Sequence, residues 1–198
     1  MTATILLIRH APHAHLGTVL SGRAPGLALS EDGRAQAVRL GRSLAGEALH
    51  LVQTSPVQRA RETAAIIAAA AGTRCAQADA LDEIDFGAWS GRAFADLAQD
   101  AAWREWNERR STAAAPGGEA MAAAQARAVA HIEDVSRAHP ERTVAMVTHC
   151  DIIRAVVAHI LGLSLDAIHR FDVAAASISR IVAGSWGARV QSLNERVA

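Results

Sequence analysis

The sequence has few cysteines and no hydrophobic run of the length that a membrane helix needs. Its two cysteines, Cys75 and Cys150, are too few for a disulfide scaffold and are compatible with a reducing compartment. A membrane span requires about 20 apolar residues, and the alanine-rich stretches here are interrupted by Arg, Glu or Gln. The N-terminus lacks a basic region and its apolar run ends at Ile8, which is not typical of a signal peptide. We therefore predict a cytoplasmic protein without a membrane partner.

Net charge is also lacking. The sequence contains 20 Lys or Arg residues and 20 Asp or Glu residues, and none of the cationic residues is a lysine. A balanced charge provides no broad basic surface, so we expect no nucleic-acid partner. Arginine presents a planar fork that matches phosphate, although GC-rich coding DNA produces the same preference for arginine. The composition therefore excludes extended polyanions as partners and remains compatible with a small cationic pocket.

What is present is the pattern of an ordinary globular protein. The chain has 198 residues, of which 51% are hydrophobic and 20% charged, enough for one domain with a substantial core. Strand-like apolar runs alternate with helix-like segments. The predicted strands are residues 4–9, 49–54, 74–78, 143–148, 174–182 and 188–193, and the predicted helices are residues 31–48, 56–71, 119–138 and 151–161. This alternation predicts an α/β fold, a three-layer α/β/α sandwich with a mostly parallel central sheet, formed by residues 1–198 as a single domain.

Two of the predicted strands end in histidine. An apolar run that ends in Arg9 is followed directly by His10, and a second run that ends in Thr148 is followed by His149. Ligands of open α/β sheets bind beyond the carboxyl ends of the strands. We therefore expect the two strands to be adjacent and parallel, with both imidazoles at one site. Arginines near such a pair indicate a site at which imidazole receives a phosphoryl group.

Five short motifs carry this interpretation further. In chain order they are Leu7-Ile8-Arg9-His10-Ala11, Ser55-Pro56-Val57-Gln58-Arg59-Ala60 with Glu62-Thr63-Ala64, the segment Leu81 to Gly91, Pro116-Gly117-Gly118-Glu119, and the segment Val147 to Arg154. Each motif alone is a weak signal. Five in this order, spread over nearly the whole chain, resemble the histidine phosphatase superfamily, which includes cofactor-dependent phosphoglycerate mutases and many small phosphatases. The resemblance implies a phosphoglycerate mutase-like fold.

The resemblance also implies a role for each of five side chains. His10 is then the nucleophile that becomes phosphorylated, and Glu83 is the proton donor. Arg9, Arg59 and His149 hold the phosphoryl oxygens, and His149 completes the catalytic group. The resemblance implies no metal ion and no cofactor, with a small phosphorylated molecule as the substrate.

The chemistry of these residue types agrees with those roles. An imidazole must be neutral to attack phosphorus, and the reference pKa of histidine, ~6.5, leaves much of it neutral at neutral pH. Arginine forks direct positive charge at the equatorial oxygens. One carboxyl group can protonate the leaving alkoxide and then deprotonate water. Glu83 lies between Asp82 and Asp85 in the sequence, so either neighbour is an alternative for that role.

The sequence departs from the commonest pattern of the family after His10. Ala11 stands where glycine is usual, and Cys150 replaces a frequent glycine after the second histidine. Pro12 and His13 occupy positions that in mutases are usually Glu and Ser or Thr, and Leu16 falls where Asn is common. The segment Ser21-Gly22-Arg23 lies where mutases carry a substrate-contacting loop. It is therefore a candidate substrate-binding segment, with Arg23 either a second contact for an anion or a solvated loop residue.

Three other kinds of protein are alternatives. A metal-dependent hydrolase could use His10, His13 and His15, although these flank a proline in a loop and no His-Glu-x-x-His helix is present. A cysteine phosphatase could use Cys150, but Arg154 follows too closely for a phosphate loop. A non-catalytic binding protein would not need both a nucleophile and an acid.

Within the family, the alternatives are a phosphatase and a mutase. Mutases usually carry insertions that enclose the site and exclude water. The segment between Gly91 and Gly118 is short, which favours a phosphatase. Trp89, Trp103 and Trp106 could form either the pocket wall or the core. The sequence does not specify the substrate or the oligomeric state.

Overall fold

The computed structural model describes residues 1–197 and contains one six-stranded sheet. Its strands are β1 (Thr2–Arg9), β2 (Leu49–Thr54), β3 (Cys75–Gln77), β4 (Thr143–Thr148), β5 (Ile178–Gly184) and β6 (Gly187–Glu195). The spatial order is β3-β2-β4-β1-β5-β6. The first four in that order are parallel, whereas β5 pairs antiparallel with β1 and β6. The mostly parallel sheet is therefore confirmed. Ala198, the last residue of the predicted domain, lies outside the described residues.

Helices cover both faces of the sheet. They are α1 (Glu31–Leu44), α2 (Gln58–Ala71), α3 (Phe94–Leu97), α4 (Ala101–Glu108), α5 (Met121–Ala138) and α6 (Cys150–Ile160). Successive side chains of a strand point to opposite faces. Accordingly, Leu6 and Ile8 pack in one core with α1 and α2, and Ile5 and Leu7 pack in another with α5 and α6. This arrangement confirms the predicted three-layer α/β/α sandwich.

Several predicted boundaries are wrong because loop contacts override the local pattern. Helix α2 begins at Gln58, not Pro56, because the Ser55 hydroxyl accepts a hydrogen bond from Val57 N at 3.2 Å and holds a turn. Strand β5 begins at Ile178 because Ala176 has a φ of 56°, which interrupts an extended strand. Helix α1 ends at Leu44, before the predicted residue 48, and α5 begins at Met121, after the predicted residue 119.

The sheet register places both histidines at one edge. Strands β1 and β4 are adjacent and parallel, with Arg9 paired to Thr148 at their carboxyl ends. His10 N donates to Thr148 O at 2.9 Å, so the chain is still paired as it leaves the sheet. His149 is the first residue after β4 and precedes α6. The predicted adjacency of the two strand ends is confirmed.

Among residues 1–197, no helix is both long enough and apolar enough to cross a membrane.

Candidate active site

The imidazole of His10 is buried and held in one tautomer. Its Nδ1 lies 2.8 Å from the carbonyl oxygen of Ala11, which can only accept, so Nδ1 carries the proton. Its Nε2 accepts a hydrogen bond from Nε of Arg59 at 3.1 Å. Burial and the charge of Arg59 lower the pKa of His10 well below its usual value, so the ring is neutral near pH 7. Nε2 therefore carries an unprotonated electron pair, which is held by the hydrogen bond from Arg59.

Arg59 brings its guanidinium from α2 into the centre of this site. The residue is only 1% exposed. Its Nη2 donates to Gly22 O at 2.9 Å and lies 3.1 Å from Nδ1 of His149. Its Nη1 is buried and has no hydrogen-bond partner among the described residues. A buried cation with an unpaired donor can bind an anion such as phosphate.

Thr63 links Arg59 to the loop that follows His10. Its hydroxyl donates to Arg59 O at 2.8 Å within α2 and accepts from Ala11 N at 3.1 Å. The motif that contains Thr63 therefore fixes the position of the nucleophile relative to the arginine.

His149 is fully buried and faces His10, with the ring centroids 5.2 Å apart. Because its Nδ1 accepts from Arg59, its Nε2 carries the proton and donates to Ser55 Oγ at 2.8 Å. Ser55 in turn donates to Asp82 Oδ1 at 3.3 Å. Burial and then Arg59 lower the pKa of His149 well below its usual value. The side chain is thus a neutral, oriented group at the edge of the site.

Glu83 places a carboxyl group beside both of these residues. Its Oε2 lies 3.5 Å from Nδ1 of His149 and 3.9 Å from Nη2 of Arg59. Burial, assisted by the negative charge of Asp151, raises the pKa of Glu83 to about 7. Such a group exchanges its proton readily near neutral pH, as general acid–base catalysis requires.

The two neighbouring acids are occupied elsewhere. Asp82 accepts from Glu83 N at 2.8 Å and forms an ion pair with Arg23 at 3.2 Å. Asp85 accepts from Gly87 N at 2.9 Å, and its side chain is 48% exposed. The structure therefore distinguishes Glu83 from the two acids that the sequence left as alternatives.

The candidate substrate-binding residues Ser21, Gly22 and Arg23 do not all face the cleft. Ser21 and Gly22 are buried and line the cleft, where Gly22 O accepts from Arg59. Arg23 is not among the cleft residues. Its Nε donates to Glu83 O at 2.8 Å, and its Nη2 pairs with Glu119 at 3.1 Å. Arg23 thus holds the loop that contains Asp82 and Glu83, and its charge is compensated by Asp82 and Glu119.

Arg9 lies between the cleft and the loop after α6. Its Nη1 donates to Val173 O at 2.7 Å, and its Nε is buried without a partner among residues 1–197. Arg9 lines the same cleft as Arg59 and His10. Two arginines with unpaired donors thus flank the nucleophile.

Two glycines allow the Glu83 loop to pack against the Pro116-Gly117-Gly118-Glu119 motif. A Cβ on Gly118 would lie 2.2 Å from Asp85 O, and one on Gly87 would lie 2.2 Å from Pro116 O. Ala88 N donates to Pro116 O at 3.0 Å, and Glu119 N donates to Asp85 O at 2.7 Å. The two motifs are therefore one backbone-to-backbone unit that positions the acid.

Gly118→Ala is expected to destabilise the protein by about 1–3 kcal/mol, because the new methyl group meets backbone that cannot move aside alone. Urea unfolding would measure this change. Gly46→Ala is the control, since nothing lies within 4 Å of its added Cβ. Equal stabilities of the two variants would contradict this account of the motif.

The cleft that contains the histidines has a volume of about 290 Å³. Its lining also includes Trp103, Arg110 and Arg154. Arg110 is 4% exposed and donates to Asp151 at 2.7 Å. Asp151 also lies 3.8 Å from Arg154. Sequence reasoning did not find Arg110, because an arginine in a polar segment carries no local sign of burial.

Of the three tryptophans, two lie in the core and one lies in the wall of the cleft, the two places that the sequence left open. Trp89 and Trp106 are 1% and 0% exposed and belong to the core. Trp103 is partly buried and lines the cleft. Edge-to-face packing of Trp103 on Trp89, with centroids 5.2 Å apart, connects the cleft wall to that core.

The alternative chemistries find little support in the geometry. Within residues 1–197, no group of three or more His, Cys, Asp or Glu side chains is arranged to hold a metal ion, and His15 is exposed. Burial raises the pKa of the Cys150 thiol, which disfavours the thiolate that a cysteine phosphatase needs.

The chain is similar to known proteins over nearly its whole length. The family model described as histidine phosphatase superfamily (branch 1) matches residues 5–196. Phosphoserine phosphatase 1 of Hydrogenobacter thermophilus is 33% identical over 182 residues, which cover 89% of this chain and 85% of that protein. The adenosylcobalamin/alpha-ribazole phosphatase of Escherichia coli is 28% identical over 193 residues, covering 96% and 95%. The solved structure of Bacillus stearothermophilus YhfR has a TM-score of 0.90 at 26% identity and covers 96% of each chain.

Proposed function

The chain belongs to the histidine phosphatase superfamily (branch 1) and is a phosphatase, and we propose that it hydrolyses a small phosphomonoester through a phosphohistidine at His10. The proposed reaction uses no metal ion and no cofactor. The observation that carries the proposal is the hydrogen-bond pattern of His10, which leaves an electron pair on Nε2 beside a buried guanidinium with an unpaired donor.

In the first half of the reaction, a phosphoryl oxygen takes over the N–H that Nε of Arg59 donates to His10, which frees the electron pair of Nε2. Nε2 then attacks phosphorus and the bond to the leaving oxygen breaks. Arg9 and Arg59 bind the equatorial phosphoryl oxygens and balance their charge. His149 joins them once the bound dianion raises its pKa and Nδ1, released by Arg59, takes up a proton. The proton on Glu83 passes to the leaving oxygen, so an alcohol departs. The Ala11 carbonyl, 2.8 Å from Nδ1, stabilises the positive charge that the phosphorylated ring acquires.

In the second half, water enters the place of the alcohol. The Glu83 carboxylate takes one proton from this water, whose oxygen attacks phosphorus as the bond to Nε2 breaks. Inorganic phosphate leaves, and His10 returns to its neutral tautomer. Because the pKa of Glu83 is about 7, one side chain serves as the acid and then as the base.

The cleft supports a small substrate with a polar remainder. Its volume is about 290 Å³, and its lining includes Arg110 and Arg154 with Asp151 between them. Asp172 also pairs with Arg154, at 3.8 Å, so this part of the cleft is polar with its charges balanced. A panel of phosphomonoesters that includes phosphoserine, phosphoglycerates and neutral alkyl phosphates would identify the substrate. A mutase would exchange phosphoryl groups between phosphoglycerates without releasing phosphate.

The phosphoenzyme provides the direct test. Rapid acid-free quenching of the wild-type enzyme with ³²P-labelled substrate is expected to trap a covalent label that is stable in base and labile in acid, as phosphoramidates are. The His10→Ala variant should carry no label. A label stable in acid would indicate a serine or threonine ester and would contradict the proposal.

A further inference from the structure

His13 is a buried residue of the cleft for which the mechanism above has no role. It is 5% exposed, and its ring centroid lies 5.6 Å from that of His10. Within residues 1–197, its Nδ1 is enclosed and has no hydrogen-bond partner. Buried polar atoms are usually paired because leaving them unpaired costs stability. Neither ring nitrogen of His13 is bonded to the described residues, and Nε2 is not among the enclosed atoms, so this nitrogen is available to a ligand in the cleft.

The ring can offer one hydrogen-bond donor to the cleft. No acceptor faces Nδ1 among the described residues, so the proton is favoured on Nε2, the nitrogen that a ligand in the cleft can reach. Burial, then the charges of Arg59, His15 and Arg9, lower the pKa of His13 to about 4. The ring is thus neutral near pH 7 and presents an N–H group.

The distance from His10 decides which part of a substrate this donor can reach. In an in-line reaction, the leaving group lies opposite the attacking nitrogen, with phosphorus between them. An imidazole bound to the leaving oxygen would have its centroid roughly 9 Å or more from that of His10. The observed 5.6 Å is much shorter and resembles the 5.2 Å between His10 and His149. His13 therefore flanks the reaction axis, where the equatorial oxygens lie.

We propose that Nε2–H of His13 donates a hydrogen bond to an equatorial oxygen of the phosphoryl group, so that His13 is a further phosphoryl-binding residue of this chain. The proposal rests on the proposed function, because it places the phosphoryl group at Nε2 of His10. It assigns a use to the accessible nitrogen, Nε2, of a ring that lies in the same cleft as Arg9 and Arg59.

The test measures the dissociation constant of inorganic phosphate by calorimetry, which needs no turnover. His13→Phe keeps an aromatic ring against His10 and removes both nitrogens, and it should weaken phosphate binding about tenfold or more. His13→Gln has an amide N–H near the position of Nε2 and should bind within about threefold of the wild type. His15→Phe, at an exposed position in the same loop, is the matched control.

Two results would overturn the proposal. Phosphate affinity unchanged in His13→Phe would show that the ring does not touch the phosphoryl group, and an equal loss in His13→Gln would show that the donor is not what matters. If His13→Phe does not fold, His13→Leu is judged by the same criteria. If His13→Phe weakens phosphate binding as expected but the wild-type protein forms no phosphoenzyme, only the proposed function is contradicted.

Discussion

His10→Ala is expected to lower kcat by at least about 10⁴-fold on every phosphomonoester, because no other group supplies the attacking electron pair. Within residues 1–197, the nearest other rings are those of His149 and His13, with centroids 5.2 and 5.6 Å from that of His10, so neither can take its place at phosphorus. Water would have to attack directly, with only the charges of the site to help. Steady-state phosphate release measures the loss.

The binding of inorganic phosphate separates loss of the nucleophile from loss of the fold. His10→Ala releases Nε of Arg59 from its 3.1 Å bond, so the variant should bind phosphate at least as tightly as the wild type. His15→Ala, an exposed change in the same loop, should keep full activity. Turnover near the wild-type rate in His10→Ala would exclude a phosphohistidine mechanism at this residue.

Glu83→Gln is expected to lower kcat by about 10²–10⁴-fold on alkyl phosphates, whose leaving oxygen must be protonated. An aryl phosphate should lose much less in the first step, because its phenolate departs without a proton. Oε1 of Glu83 accepts a hydrogen bond from Ile84 N at 2.9 Å, and the amide of the variant keeps this contact and the size of the side chain. The loss therefore reports the proton. A burst of phenol with an aryl substrate would show that the second step, in which water must be deprotonated, has become limiting.

The neighbouring acids provide the controls for Glu83. Asp85→Asn should show no dependence on the leaving group, since this carboxylate caps Gly87 N and is half exposed. Asp82→Asn should also show none, although it weakens the Ser55 contact that orients His149. If Asp85→Asn shows the dependence and Glu83→Gln does not, the acid is Asp85.

The pH profile supplies a second signature of Glu83. The pKa of this acid is raised to about 7 by burial, and it must be protonated in the free enzyme to act as the acid. For an alkyl phosphate, kcat/KM should therefore fall as pH rises through about 7. The Glu83→Gln variant should lack this decrease, and any contribution from ionisation of the substrate is the same in both proteins.

The sequence alone determined the layer architecture, and it predicted the place of the candidate site. Alternating strand and helix patterns are local, so they predict a parallel sheet without any knowledge of distant contacts. An imidazole at the end of an apolar strand lies at the ligand edge of such a sheet wherever the other elements pack. For this reason His10 and His149 could be assigned to one site before their separation was known.

Only the tertiary structure decided the protonation and pairing of the groups at that site. The tautomer of His149 depends on Arg59, which is 90 residues away, and the same guanidinium, 49 residues from His10, engages Nε2 of His10. The choice of Glu83 over Asp82 and Asp85 likewise depends on which carboxyl group is buried beside those residues. Burial and hydrogen bonding set pKa values through three-dimensional proximity. Sequence neighbours with the same charge therefore differ in chemistry only once the chain has folded.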